Sequence, residues 1–166
     1  MERTRTFLAL GLVPFGFFAC AVPPSVPGPA ETAVLEVTDA FFEALSAGDT
    51  ATLGALVAPG AALHSVRKGD PGLSVGARTR EEFLTGIGED DGDLLERVWD
   101  PTVLVENGVA VVWTPYDFHL NGEFSHCGID VLTLLESEEG WRITGVTYNV
   151  TTAGCAPSPL GPPSFN

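Results

Sequence analysis

The second half of the chain most constrains its fold. From Leu94 to Val150 it is a succession of apolar runs separated by very short turn signals. Asn107-Gly108 and Asn121-Gly122 are two-residue hairpin signals, and Glu138 to Gly140 makes a third turn. Strands joined by turns this short must pair antiparallel with their sequence neighbours. The runs predict strands over Leu94–Val105, Val109–Leu120, Glu123–Ser137 and Trp141–Val150. Asp100-Pro101 interrupts the first of these, as at an edge or a bulge.

The first half reads as helix. Val34, Val37, Phe41 and Leu45 recur at spacings of three and four, predicting a helix over Glu31–Ala47 that Gly48 stops. Asp49 is placed to cap a short second helix, Thr50–Val57, ended by Ala58-Pro59-Gly60. A strand is expected over Ala61–Arg67, then a loop over Lys68–Gly76. Thr79-Arg80-Glu81-Glu82 is a capping box opening a third helix. Helices first and an antiparallel meander last define an α+β domain, with three N-terminal helices packed on a curved antiparallel sheet.

Composition narrows the partners. Eight Lys and Arg stand against 22 Asp and Glu, for a net charge of −14. So few cations cannot neutralise a run of phosphates, which excludes nucleic acid, and an anionic bilayer surface would repel the domain. The 45% apolar share supports one packed domain. The chain has no G-x-S-x-G, P-loop, G-x-G-x-x-G or H-E-x-x-H motif. No cofactor and no metal are expected.

Residues 1–21 read as an export signal: Arg3 and Arg5, then thirteen uncharged residues from Phe7 to Ala19. Ala19-Cys20-Ala21 fits cleavage before Val22. Phe17-Phe18-Ala19-Cys20 also resembles a bacterial lipobox, with Cys20 as the lipid attachment point and residues 22–31 as a proline-rich tether. The lipoprotein reading is preferred, and with it a location in the bacterial cell envelope, free periplasmic or secreted protein being the alternative. A membrane would then be met only through that anchor. In an oxidising compartment Cys127 and Cys155 are an even pair, open to a disulfide or to two free thiols. The domain proper is expected over 32–150, with an irregular proline-rich tail over 151–166.

Several strings in this order resemble the nuclear-transport-factor-2-like superfamily. They are Phe41-Phe42-Glu43-Ala44-Leu45 with Gly48-Asp49, then Thr79-Arg80-Glu81-Glu82-Phe83-Leu84, then Gly140-Trp141-Arg142-Ile143. Trp113–Leu120 and Ser125–Asp130 are similar to those of a bacterial lumazine-binding or polyketide-cyclase-like subgroup. The resemblance spans about Thr32 to Val150 and implies a cone-shaped α+β fold. That fold hosts isomerases, dehydratases, cyclases and binding proteins, so it leaves the activity open.

The candidate site comes from strand register. With Asn121-Gly122 as a two-residue loop, Leu120 pairs with Glu123, so Asp117 falls opposite His126 and Trp113 opposite Asp130. Trp113, Asp117, His119, His126 and Asp130 then share one face, because strand side chains alternate. An Asp across from a His suits acid/base work, which makes Asp117 and His126 the candidate catalytic pair. Trp113, His119, Asp130 and Tyr148 are the candidate ligand contacts. The leading expectation is a pocket for a small apolar or aromatic molecule or a partner. Proton-transfer catalysis by Asp117 and His126 is the alternative, and a homodimer formed through convex sheet faces is a further one.

Overall fold

The computed structural model describes residues 26–69 and 72–163 of the 166. Helix α1 is Pro29–Ser46, α2 is Thr50–Leu56 and α3 is Arg80–Glu89. Strands β1 (Val57–Lys68) and β2 (Leu73–Thr79) precede α3. Strands β3 (Leu94–Val98), β4 (Thr102–Glu106), β5 (Val109–Leu120), β6 (Glu123–Ser137) and β7 (Gly140–Val150) follow it.

Two of the three helices open with a side-chain cap, and the other opens with a proline. Pro29, which has no N–H to satisfy, opens α1. Its Val34, Thr38, Phe41, Phe42 and Leu45 form one buried stripe. The Asp49 carboxylate accepts from the N–H groups of Ala51 and Thr52 at the start of α2. Thr79 and Glu82 form the reciprocal capping box of α3. Arg80, the first residue of α3, donates from Nε to Val57 O at 2.9 Å and from Nη2 to Gly54 O at 2.7 Å. It thereby ties α3 to the C-terminal end of α2.

One sheet takes all seven strands, in the order β2-β1-β7-β6-β5-β3, with β4 also paired to β5. Asn107-Gly108 and Asn121-Gly122 have positive φ at both residues, as two-residue hairpin turns require. The expected all-antiparallel sheet is corrected in one place. The β1–β7 pair is parallel, so the sheet is mixed. Tight turns dictate only the pairs they connect, and β1 is separated from β7 in sequence by β2, α3 and β3 to β6. The stretch expected as a loop through Gly76 is strand from Leu73 onward, paired with β1. Leu73, Val75 and Ala77 alternate as a strand would, but the Gly-rich and charged surroundings favour a loop, and all of β2 is exposed.

The helices cover one face of this sheet. Phe41, Leu53 and Phe83 from the helices meet Val112, Leu132, Leu134 and Ile143 from β5, β6 and β7 in a single core. Phe41 stacks on Phe83, with ring centroids 6.1 Å apart. Beyond this core, toward the far ends of β5, β6 and β7, the space between sheet and helices opens into a cavity.

Candidate functional site

The cavity has a volume of about 680 Å³. Phe41, Phe42 and Leu45 of α1, with Phe83 and Ile87 of α3, form its apolar wall. Strands β3, β5, β6 and β7 place Glu96, Tyr116, Phe118, His126, Asp130 and Tyr148 on the opposite wall. A cavity of this size suits a small organic molecule.

A β-bulge decides which side chains reach it. Leu120 pairs with Glu123 and His119 with Phe124, as the two-residue turn requires. The next pair is Phe118 with His126, which leaves Ser125 as an extra residue on β6. From there the register is shifted by one through the rest of the hairpin, and a one-residue slip reverses the facing of every side chain. Asp117 therefore lies opposite Cys127, not His126, and Trp113 lies opposite Val131, not Asp130. The expected Asp117–His126 pair does not form, and the expected single polar face is divided between the two sides of the sheet.

On the outer side, Asp117 is committed to Arg97 of β3. Arg97 donates from Nε to Oδ1 at 2.8 Å and from Nη2 to Oδ2 at 2.6 Å, a two-pronged pair. His119 Nε2 lies 3.4 Å from the same Oδ1. The remaining arm of Arg97 donates to Gly161 O at 2.9 Å and holds the C-terminal tail. Cys127 and Cys155 are joined by a disulfide that pins the same tail to β6. Trp113 is 52% exposed on this outer face and does not reach the cavity. Exposed Leu104, Val109 and Leu135 lie on the same face as Trp113.

On the inner side, His126, Asp130 and Tyr148 do come together. His126 stacks on Phe118 at 4.9 Å and meets Tyr116 edge-on at 5.6 Å. Its Nδ1 lies 2.9 Å from Ser125 Oγ. Burial, reinforced by the charge of Arg67, lowers the pKa of His126 below its usual value, so the ring is neutral at pH 7. Asp130 pairs across the sheet with Thr114 and Tyr148 and is only 2% exposed. Burial pushes its pKa up to about 7, against a hydrogen bond from Glu96 that lowers it. Glu96 is held well above the usual carboxyl range, first by burial and then by the charge of Asp130. Glu96 keeps part of its surface open, and that surface faces the cavity. Two carboxyls so close cannot both ionise cheaply, and one proton shared between them resolves the repulsion.

Sequence reasoning missed Glu96. The signal was present in Leu94-Leu95-Glu96-Arg97-Val98, where alternation puts Glu96 on the same face as Leu94 and Val98. An acid at an inward position between two apolar residues marks a functional or paired carboxyl.

Gly128 permits the close packing behind Asp130. A Cβ there would collide with the Asn149 carbonyl oxygen and come within 2.7 Å of Tyr116 Cε1. With glycine in place, Tyr116 Oη donates to Asn149 O at 2.9 Å, and Ile129 N–H donates to Asn149 Oδ1 at 2.9 Å. Burial, then the charges of Asp130 and Glu96, push the Tyr116 phenol well above its usual pKa. Tyr116 is therefore a fixed neutral wall of the cavity.

Asp117 and His119 lie on one side of the sheet and His126 and Asp130 on the other, so these four cannot share a metal ion. Among the described residues, no group of three or more His, Cys, Asp or Glu side chains is placed to hold one. Among the same residues, no helix is long and apolar enough to cross a membrane. Cys20 and the export signal lie outside the described residues.

A family model described as "Putative lumazine-binding" matches residues 29–149. No curated protein matches the chain. Among solved structures, a nuclear-transport-factor-2-like protein from Cytophaga hutchinsonii aligns with a TM-score of 0.61 at 11% identity, over 72% of this chain and 97% of its own. A protein of unknown function with a cystatin-like fold from Nostoc punctiforme aligns with a TM-score of 0.59 at 13% identity, over 76% and 95%. A protein described as a putative dehydratase of the nuclear-transport-factor-2-like family, from Streptomyces avermitilis, aligns with a TM-score of 0.57 at 19% identity, over 74% and 96%. At these identities the likeness concerns the fold.

Proposed function

The chain belongs to the family described as "Putative lumazine-binding", and from that premise we propose that its cavity binds a small, largely apolar or aromatic molecule. The observation that carries this reading is the cavity itself. About 680 Å³ is lined by aromatic rings on both walls, with polar groups gathered on the sheet side. Apolar area supplies affinity in such a site, and a few placed polar groups supply orientation. Catalysis by Asp117 and His126 is withdrawn, since the sheet separates them.

Thermal denaturation with a panel of small aromatic compounds, lumazine included, tests the reading. A ligand of the cavity raises the melting temperature increasingly with its concentration. Ala77, exposed at the mouth, offers a control. Ala77→Trp should fold normally and lose that stabilisation. A panel without a single stabilising compound, or an Ala77→Trp variant that responds like the parent, would overturn the assignment.

We also propose that the protein is exported. The disulfide supports this, because such bonds persist in oxidising compartments. The mass of the mature N-terminus distinguishes a diacylglyceryl-Cys20 from a free Val22. An uncleaved Met1 would sink both.

A further inference from the structure

We propose that the ligand of this cavity is a protonated amine, a small molecule with an apolar or aryl body whose ammonium group docks against Asp130 and Glu96. This rests on the cavity reading above and names the chemical class of its occupant.

The first observation is an unmatched acid. Asp130 is 2% exposed and lines the cavity, yet no N–H, hydroxyl or basic side chain among the described residues donates to its Oδ2. Buried carboxylates are ordinarily paired or hydrogen-bonded. Asp117, on the other side of the same strand pair, has its Arg97. Among the described residues no Lys, Arg or His forms an ion pair with Asp130 or Glu96. The pair makes do with one shared proton, which an incoming cation can replace.

The second observation is the surrounding chemistry. The rings of Tyr116, Phe118, His126 and Tyr148 stand on the sheet wall with the carboxyls, and those of Phe41 and Phe83 face them from the helices. Aromatic faces attract cations, most strongly where water is excluded. Charged and titratable groups face the pair from several elements. From β6, His126 is neutral at pH 7 and adds no opposing charge. From β5 and β7, Tyr116 and Tyr148 contribute aromatic rings. From β2, exposed Arg78 lines the cavity rim near Glu82 of α3, and among the described residues it forms no ion pair. From α3 and just beyond it, Glu82 and Asp90 also line the cavity and are acidic. From β1, Arg67 is exposed and acts on His126. The chain as a whole carries −14, which draws cations toward it.

Binding by an ammonium should expel the shared proton, because a positive charge beside the two carboxyls favours the ionised form of each. The ammonium enters with its charge, Glu96 ionises, and one proton goes to the buffer.

Calorimetry on the full chain at pH 7.5 tests this with 4-phenylbutylamine, 4-phenylbutanol and lumazine, in phosphate and in Tris. The amine should bind at least tenfold more tightly than the alcohol. Its binding heat should differ between the two buffers by the ionisation heat of about one proton. Asp130→Asn should remove the amine's preference and leave alcohol binding within threefold. Glu96→Gln keeps a neutral hydrogen-bond donor beside Asp130, so it should retain amine binding and abolish the buffer dependence. That second variant keeps the test decisive if Asp130→Asn folds poorly. Equal affinity for alcohol and amine, or tighter binding of lumazine than of the amine, would overturn the amine and leave the cavity reading standing. No binding by any of the three would overturn both.

Discussion

At the scale of single residues, the determinant of the site is a carboxyl pair buried against aromatic rings. Asp130 entered as a candidate through a register that placed it opposite Trp113; the bulge pairs it with Thr114 instead, and it lines the cavity all the same. Its partner could not be read from register alone, since Glu96 reaches it from β3, which is joined to β5 only through space. The pair makes stability depend on pH in a direction opposite to the usual salt-bridged carboxylate. In the unfolded chain both groups lose their protons near pH 4. In the folded chain Asp130 keeps its proton up to about 7, and Glu96 is raised as well. Between about pH 4 and 7 the folded state therefore binds more protons, and stability falls as pH rises, by up to about 1.4 kcal/mol per pH unit for each proton. The contribution is fully present below about pH 4. His126 acts in the reverse sense. Its lowered pKa adds stability above its usual value near 6.5 that is lost as pH falls. Denaturant titrations of the parent and of Asp130→Asn between pH 4.5 and 7.5 separate the two. The difference in stability between parent and variant should shift against the parent as pH rises. A difference that is flat across this range would refute the shared proton.

At the scale of elements, the helices were legible and the register of one hairpin was not. Periodic apolar residues and explicit caps announce a helix locally, and Asp49, Thr79 and Glu82 all make the contacts their spacing implies. The Asn121-Gly122 turn was also read correctly, with Leu120 opposite Glu123. What the turn does not dictate is the bulge at Ser125, three residues later. Ser125 lies where β6 must bring His126 inward beside Phe118 while Phe124 stays outward beside His119. Each of these positions carries a ring that can pack on either side, so composition does not choose. The deciding contacts are tertiary, at Gly128, Asn149 and Tyr116. A different tertiary device holds the helical layer in place. Arg80 supplies two hydrogen bonds to carbonyls at the end of α2, which no residue of α2 itself can satisfy. Arg80→Ala leaves both part-buried carbonyls without that donor and should cost roughly 1–3 kcal/mol. Arg80→Lys should recover only part of this, since a single ammonium lacks the two-pronged geometry. Urea unfolding of the two variants reads the difference, and a full rescue by lysine would show that charge alone matters there.

At the scale of the whole molecule, the two faces of the sheet are assigned different work. The inner face carries the cavity. The outer face receives the C-terminal tail, which Cys155 bonds to Cys127 and Arg97 holds at Gly161. Thr151 also pairs with Cys127 through both backbone groups, so the tail leaves β7 already aligned with β6. Cysteine counting left Cys127 and Cys155 open to a bond or to two free thiols, and the fold brings the two residues together. The disulfide closes a loop of 28 residues. Restricting the unfolded chain in this way is worth roughly 3–4 kcal/mol in the chain-entropy account. The double variant Cys127→Ser, Cys155→Ser should therefore unfold at clearly lower denaturant concentration, while reduction should have no further effect on it. Because the tail and the cavity lie on opposite sides of β5 and β6, affinity for a cavity ligand should stay within about twofold of the parent wherever the variant is still folded. Measuring both quantities on the same samples decides the point. A large loss of affinity in the folded variant would mean that the tail supports the inner wall through the sheet, by way of Asp117 and its neighbour Glu96, and that the two faces are not independent.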